Sequence, residues 1–378
     1  MVYLLNEEQT LLQESADNFV KHEHILKQQR KLILDPEQNR AKHWNDFSKL
    51  GWLGLNIQET YGGYGGSLLD HAILMESFGR GLLLGPYLSS AIMSAKVIEL
   101  GGTEDQKYKY LPRMIEGELL ISFAYAEPTS RYNLAYTSLH ATKKADKYTL
   151  NGTKSMVFFA SYADKIIIAA RTSGAIDSKQ GITLFIVDQA APGVKLRNYP
   201  TVDGSSASEV ILSNVILDES DIIGSTNDAF NLINTVINYS TIAICAEAVG
   251  LMETLVVMTK NYIKQRKQFG RSISKFQIIQ HQLVDMYIEL ELSRSLIFRA
   301  ASIDIDSRDR SHSRPTSAAK AQIGKAGKLI GQSAVQLHGG MGMTDELEIG
   351  QYFKRLTMID TLFGNAAHHK QRFTTLSN

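Results

Sequence analysis

Cysteine is almost absent here: Cys245 is alone among 378 residues, so an internal disulfide is ruled out. It lies in an apolar helical context, away from any basic cluster, and reads as a buried thiol in a reducing compartment. Charge of one sign is lacking as well. With 40 basic against 39 acidic residues the net charge is +1, which supplies no field to draw nucleic acid or an acidic membrane. No apolar run approaches membrane-spanning length. Met1 to Thr10 reaches Glu7 and Glu8 before any long apolar run, which excludes a secretory signal and argues against a transit peptide. His368 and His369 have no Cys or carboxylate at metal spacing, so no metal is expected. The composition therefore points to a cytoplasmic protein, without nucleic acid or membrane as partner, that binds through local contacts.

What is present is length, enough for two or three domains with substantial cores. Asn6 followed by Glu7 and Glu8 reads as an N-cap, and Leu11, Leu12, Ala16, Phe19 and Val20 form one apolar stripe. Helical patterning recurs to Glu116. Within it, Tyr61-Gly62-Gly63-Tyr64-Gly65-Gly66 has no preceding strand and no following Lys-Ser/Thr, so it reads as a structural turn rather than a phosphate cradle. From Leu119 short apolar and β-branched runs take over: Leu119 to Phe123, Tyr148 to Leu150, Ile166 to Ala170, Ile182 to Val187 and Val210 to Leu217. Asn151-Gly152 predicts a hairpin turn there, and Ala191-Pro192-Gly193 a break. After Asn227 helix returns. Phe230 to Met252 carries one charged residue, Glu247, while Asn231, Asn234 and Asn238 make it too polar for a membrane. Long helices are expected over Lys275 to Asp304, Thr316 to Leu337 and Asp345 to Thr361, with a shorter one after them. Asp304 to Pro315, including Arg308, Arg310, His312 and Arg314, interleaves acids and bases and reads as a solvated loop. Residues 1–118 are thus expected to be helical, 119–226 a compact β domain and 227–378 a helix bundle, an α+β arrangement.

One stretch combines chemistry-bearing residues. Arg266-Lys267-Gln268-Phe269-Gly270 is expected to close a helix, the two bases in its last turn and Gly270 as the stop, before the chain resumes at Phe276-Gln277. Cations, an amide and an aromatic face together suit a phosphate beside a ring. The alternative is a macrodipole complement, a core phenylalanine and solvated glutamines.

Five stretches, taken in order, resemble the acyl-CoA dehydrogenase family over nearly the whole chain. They are Leu5-Asn6-Glu7-Glu8-Gln9; Leu50-Gly51-Trp52-Leu53-Gly54 with Tyr61-Gly62-Gly63; Ala126-Glu127-Pro128; Arg266 to Gly270; and Gln336-Leu337-His338-Gly339-Gly340 followed by Gly342. The resemblance implies an N-terminal helical domain, a middle β-barrel and a C-terminal four-helix bundle, assembled as a tetramer with FAD sites shared between subunits. The ending, Tyr352-Phe353-Lys354-Arg355 through Phe363-Gly364-Asn365 and His368-His369, is similar to small subunits of bacterial two-subunit, pimeloyl-CoA-type members. The implied reaction is α,β-desaturation of an acyl-CoA, with electrons leaving to an electron-transfer flavoprotein or similar acceptor.

The resemblance also says where to look for the site. A thioester α-proton is a poor acid, so a base and oxyanion donors must be pre-positioned. The family's usual glutamate position is Phe363 here, and its alternative position on the first bundle helix is Ser240. Neither is a carboxylate, so no base is assigned. Asp360, one turn before Phe363, reads first as an exposed helical residue, and it or another unrecognised group is what a homotetrameric enzyme would use. Glu247 reads as buried and hydrogen-bonded, and Asp345 and Glu346 as a helix N-terminus. The flavin ring is implied to rest on Tyr125, Ala126, Val157 and Phe158, where Ala126 and Met156-Val157-Phe158 replace two hydroxyls and an indole. Arg131 and Tyr132 stand in place of a Gly-Ser pair near the CoA, and Thr241 in place of an arginine. Arg266, Gln268, Phe269, Gln277, Gln336, Gly339 and Gly340, implied to hold the ADP half, all remain. The partner is then a second dehydrogenase-like subunit, with a homo-oligomer or a non-catalytic binding protein on the same scaffold as the alternatives.

Overall fold

The computed structural model describes residues 5–22, 36–303, 312–344 and 347–376. The loop expected at Arg308 and Arg310 and the helix start expected at Asp345-Glu346 lie outside them. In chain order the described elements begin with helices α1 Glu7–His22, α2 Pro36–Lys49, α3 Leu68–Arg80, α4 Ala95–Gly101 and α5 Glu104–Ile115. Strands β1 Ile121–Ala124, β2 His140–Lys144, β3 Lys147–Phe158, β4 Lys165–Arg171, β5 Ile182–Asp188, β6 Val194–Pro200, β7 Ser206–Asp218 and β8 Ile222–Ile223 follow. Then come α6 Phe230–Gln265, the short strands β9 Lys267–Gln268 and β10 Arg271–Ser272, α7 Gln277–Ala301, α8 Ser313–His338, α9 Ile349–Thr361 and α10 Ala366–Thr375. They group into two compact units, one of Met1–Lys31, Leu68–Leu84 and Thr241–Asn378, the other of Leu32–Ser67 and Gly85–Ser240.

In the second unit the sheet runs β6-β7-β3-β2-β4-β5-β8, with β1 parallel to β4. The expected closed barrel is therefore an open mixed sheet among the described residues. Its two ends resist closure: β8 is two residues long, and β6 carries Lys195 and Arg197 on an exposed edge. Leu139, Leu150, Ile168, Phe185, Val210 and Leu212 fill its core. The hairpin between β2 and β3 turns after Lys144, not at Asn151-Gly152, which lies inside β3 at a register shift. Gly152 is there for close packing, since a Cβ would come 2.7 Å from the Leu139 Cα. The Asn151 side chain accepts a bond from the Asn214 N–H at 2.8 Å. Strands β2 and β6 escaped the sequence reading because their side chains are mostly exposed and form no apolar run. In the Tyr61-Gly66 loop, a Cβ on Gly63 would meet the Ile57 carbonyl at 2.1 Å, so that glycine serves packing.

The first unit opens with a reciprocal cap: Asn6 Oδ1 accepts the Gln9 N–H at 2.8 Å, and Gln9 Oε1 accepts the Asn6 N–H at 3.2 Å. Its spine is α6 from Thr241 onward; the whole helix has 36 residues and a mean hydropathy of 1.8 in its most apolar window, long and apolar enough to span a membrane by those measures alone. That corrects the expectation that no run reaches such length. Because 78% of that window is buried inside the fold, α6 serves as a core helix. It crosses α3 backbone to backbone. A Cβ on Gly79 would sit 2.0 Å from the Glu247 carbonyl oxygen, and one on Gly250 would sit 1.9 Å from that of Glu76. Arg80 ties the crossing down, donating to Asp17, Glu76 and Glu253 at 2.8 to 2.9 Å. Arg294 on α7 reaches Glu76 at 3.2 Å and Glu253 at 3.1 Å.

Gly250→Ala forces a methyl into backbone, so about 3 kcal/mol of stability is lost by urea unfolding. Gly85→Ala, whose methyl would have no atom within 4 Å, stays within about 0.5 kcal/mol of wild type.

Candidate functional site

In the first unit α6 ends at Gln265 with Arg266 closing its last turn, the Arg266 N–H donating to the Tyr262 carbonyl at 2.9 Å, so of the two bases only Lys267 lies beyond the last helical turn expected for it. They lead into a two-stranded ribbon in which Gln268 pairs with Arg271 and Lys267 with Ser272. The turn between them has left-handed φ at Phe269 (54°) and Gly270 (75°), the geometry that matches the twist of a tight hairpin. Gly270 is thus a hairpin residue, not a helix stop. Phe269 is thrown outward with 89% of its surface exposed. The Arg271 guanidinium lies 4.2 Å from the Phe276 ring centroid, ordering the residue before Gln277. The exposed Arg266 guanidinium has no ion pair among the described residues.

A second segment comes to this ribbon through Tyr262 at the end of α6. Its ring stacks on His338 at 4.3 Å, and its hydroxyl donates to the His338 carbonyl at 3.3 Å. His338 Nδ1 bonds the Ala334 carbonyl at 2.8 Å and burial lowers the ring's pKa, so the imidazole is a neutral helix-end residue. Gln336 lies two residues before His338 in the same helix, and Gly339 leaves the helix with φ 60°. A Cβ on Gly339 or Gly340 would meet no atom within 4 Å. The structure therefore joins Arg266, Gln268, Phe269 and Gln277 to Gln336, Gly339 and Gly340 in one unit. Open backbone, an exposed aromatic face and an unpaired guanidinium suit a diphosphate next to an aromatic ring.

In the second unit Tyr125 and Ala126 leave β1 and run beside the end of β3. The Ala126 carbonyl accepts the Ser155 N–H at 2.9 Å. Lys154, with a fully buried side chain, donates to the Tyr125 carbonyl at 3.2 Å and to Glu127 at 2.8 Å. Glu127 also accepts the Ser138 and Leu139 N–H groups. Burial raises its pKa, but Lys154 and the hydrogen bonds more than offset that, so the carboxyl stays ionised. Burial lowers the Lys154 pKa to about 8 against the pull of Glu127. Arg171 completes the frame by donating to the carbonyls of Ala135, Ile176, Ser178 and Gln180. Met156 adopts φ 53° at a register shift in β3, and its N–H donates to the Tyr199 hydroxyl at 3.2 Å. The Val157 side chain is buried in the sheet core and Phe158 is half-buried, so Val157 presents only backbone to a ligand.

Every candidate for the base is accounted for. Ser240 is buried and donates to the Val236 carbonyl at 2.7 Å. Glu247, 2% exposed, holds Arg355 through both oxygens, at 2.5 and 2.9 Å. Asp360 Oδ1 accepts the Ala366 N–H at 3.1 Å and rests against Gly324, where a Cβ would come within 2.1 Å of it. It supports the start of α10. Phe363 sits at φ 58° in the turn between α9 and α10. That turn is clamped by a device the sequence reading missed. Buried Lys320 donates to the carbonyls of Ile359, Asp360 and Gly364 at 2.8 to 2.9 Å, a C-terminal cap supplied by another helix. His369 Nε2 bonds the Phe363 carbonyl at 3.1 Å. Burial, with Lys320 nearby, brings the His369 pKa down to about 3. Burial also pushes the Cys245 thiol up to about 12, so it is not a nucleophile. Among the described residues no group of three His, Cys, Asp or Glu is placed to hold a metal.

Three family models match in order: acyl-CoA dehydrogenase N-terminal domain over residues 6–118, middle domain over 122–215 and C-terminal domain over 227–373. The 3-(aryl)acrylate reductase of Clostridium sporogenes is 33% identical over 315 residues, 82% of each chain. The caffeyl-CoA reductase-Etf complex subunit CarC of Acetobacterium woodii is 30% identical, covering 81% of this chain and 82% of its own. Among solved structures, a glutaryl-coenzyme A dehydrogenase in complex with glutaryl-CoA superposes with TM-score 0.91 at 25% identity, covering 100% of this chain and 96% of the other.

Asp360→Asn keeps the acceptor for the Ala366 N–H, so steady-state turnover in any active assembly stays within twofold of wild type; a loss of a hundredfold or more would make Asp360 the base. His369 is neutral when folded and protonates near its ordinary value of 6.5 when unfolded. Between pH 6.5 and about 3 the unfolded chain binds the extra proton, so stability falls as pH falls, by about 1.4 kcal/mol per pH unit from this residue. Urea titrations from pH 7 to 4 show this slope in wild type and a shallower one in His369→Gln.

Proposed function

The chain belongs to the acyl-CoA dehydrogenase family, and from that premise we propose that it is an FAD-linked subunit acting at the α,β bond of an acyl-CoA thioester, lending its ADP-holding surface to a second dehydrogenase-like subunit that carries the base. The observation that carries this reading is the turn at Phe363. It is clamped from three sides by Lys320, His369 and Asp360, yet it presents a phenylalanine where the reaction needs a proton acceptor. The neighbouring carboxylates are committed elsewhere, Glu247 to Arg355 and Asp360 to the α10 start. A chain so arranged is well suited to shape a site and poorly suited to deprotonate a substrate.

FAD fits the residues available. The open glycine backbone at Gly339-Gly340 admits a diphosphate without steric conflict, Arg266 supplies its counter-charge, and Phe269 offers an exposed face for a planar group. When bound, FAD would supply a hydride acceptor for the β-hydrogen. Arg266, Gln268 and the glycines bind and orient, and in this reading the proton is taken by the second subunit. The A. woodii relative, by its name a subunit of an Etf complex, supports an electron-transfer flavoprotein or similar protein as redox partner. The glutaryl-CoA complex supports a CoA thioester as substrate.

The test is the visible spectrum, read as flavin per subunit. Purified alone, the chain is expected to hold little flavin and to show no bleaching with a panel of acyl-CoA thioesters. Mixed with a second dehydrogenase-like subunit, it gains flavin that one thioester bleaches, and Arg266→Ala weakens that flavin at least tenfold. A full complement of FAD on the chain alone that bleaches with a thioester overturns the shared-site reading.

A further inference from the structure

The bulge in β3 leaves Ser155 and Met156 out of the ladder with β7, between the pairs of Lys154 with Val210 and of Val157 with Ser208. Met156 takes φ 53° there, and its N–H turns to a side chain, donating to the Tyr199 hydroxyl at 3.2 Å. Tyr199 stands on β6 opposite Ala207 of β7, and Ala207 is in turn opposite Phe158 of β3. The phenol thus spans the strand between them to reach the bulge. A phenol has one proton, and Tyr199 donates it to Met156 Sδ at 3.4 Å. One hydroxyl therefore holds both the amide and the sulfur of the same residue. Met156 nevertheless keeps 38% of its surface exposed, so the sulfur is held on one side and the residue is open to solvent.

We propose that Met156 is a modification site for hydrogen peroxide at which Tyr199 fixes the stereochemistry: its O–H occupies one lone pair of Sδ, so oxygen is added at the other and a single sulfoxide epimer forms. In that step the free lone pair attacks one oxygen of the peroxide. The S–O bond forms as the O–O bond breaks, and the proton on the transferred oxygen passes through solvent to the departing hydroxide, which leaves as water. Sulfur is oxidised by two electrons and the peroxide is reduced by two. The sulfoxide sulfur is a stereocentre, and each epimer is returned to the thioether by its own class of reductase. A single epimer at Met156 is therefore a mark that one reductase erases and the other leaves. It also replaces apolar sulfur surface at the β3 bulge by a polar S=O group. The other exposed methionines set the comparison. Met341 and Met343 are 39% and 79% exposed, and neither has a hydroxyl on its sulfur among the described residues. The inference stands on contacts within the second unit alone and goes beyond the flavin reading.

The test treats the full chain, purified alone, with hydrogen peroxide, then digests it and reads each methionine peptide by mass spectrometry before and after each of the two epimer-specific methionine sulfoxide reductases. At Met156 of wild type one reductase is expected to remove about fivefold more sulfoxide than the other, whereas at Met343 the two remove amounts within about twofold of each other. Tyr199→Phe keeps the ring and removes only the hydroxyl, and is expected to bring the Met156 ratio within about twofold of equal. Should that variant fail to fold, wild type oxidised in urea supplies the comparison, since unfolding removes the Tyr199 contact and the preference is expected to vanish with it. Equal removal by the two reductases at Met156 of folded wild type overturns the proposal. So does a preference that survives in Tyr199→Phe or in urea, and so does a Met156 that stays reduced while Met341 and Met343 are fully oxidised.

Discussion

The first unit depends on one close approach, the crossing of α3 and α6 at Gly79 and Gly250. Two helix backbones meet there with no room for a Cβ on either side, which fixes the axis of α6 more tightly than side-chain packing alone would. Glu247 occupies the contact twice, its carbonyl against Gly79 and its carboxylate bidentate on Arg355 of α9. Three helices are therefore referenced to one residue. A buried pair of this kind contributes little net stability against a well-packed apolar alternative, but losing one partner strands a charge in the core at a cost of about 3–5 kcal/mol. Its consequence is register: α9 has one axial position on α6 that satisfies both oxygens.

That register carries to both ends of the unit. At the far end of α6, Tyr262 stacks on His338 and so ties the end of α6, from which the Phe269 ribbon leaves, to the end of α8. At the end of α9, Lys320 collects three carbonyls that a helix terminus otherwise leaves to water. The Phe363 turn that follows inherits its position from α9. The chain thus maintains, with buried charge and fixed hydrogen bonds, a turn that has no acid or base on it. Both clamps act on backbone carbonyls, His369 on that of Phe363 and Lys320 on that of Gly364, so they hold the turn whatever side chain stands at 363.

Much of this was legible in the residues. The helix, β, helix succession follows from periodicity, and the Asn6 cap, the buried Cys245 and the paired Glu247 follow from local chemistry. The ordered family stretches assigned the fold and nominated two groups of candidate site residues. What failed had physical causes. Asn151-Gly152 looks like a hairpin turn because Asn-Gly tolerates left-handed φ, but glycine was needed there to clear Leu139. Lys267 looks like part of the last helical turn and Gly270 like its stop because bases and glycine mark helix ends, yet the helix closes at Arg266 and the left-handed pair Phe269-Gly270 turns a ribbon instead. The closed middle barrel was what the resemblance implied, whereas β6 and β8 are edges managed with charge and shortness. Lys320 and Lys154 were invisible because a lysine in a polar stretch reads as surface, and only tertiary structure shows carbonyls gathered around it.

The two lysines point to a common rule in this chain. Each is buried with its ammonium on backbone carbonyls, and for each burial lowers the pKa, so the protein keeps them at an energetic cost. A carbonyl bound by a buried cation cannot rotate, and the amide on the other side of its peptide plane cannot rotate either. Orientation of backbone is thereby decoupled from the identity of the side chains displayed on it. Substitutions such as alanine at 126, methionine at 156 or phenylalanine at 363 then change what a site can do chemically while leaving its shape in place. On this scaffold the side chain at each of these positions can differ without a change in the backbone that carries it.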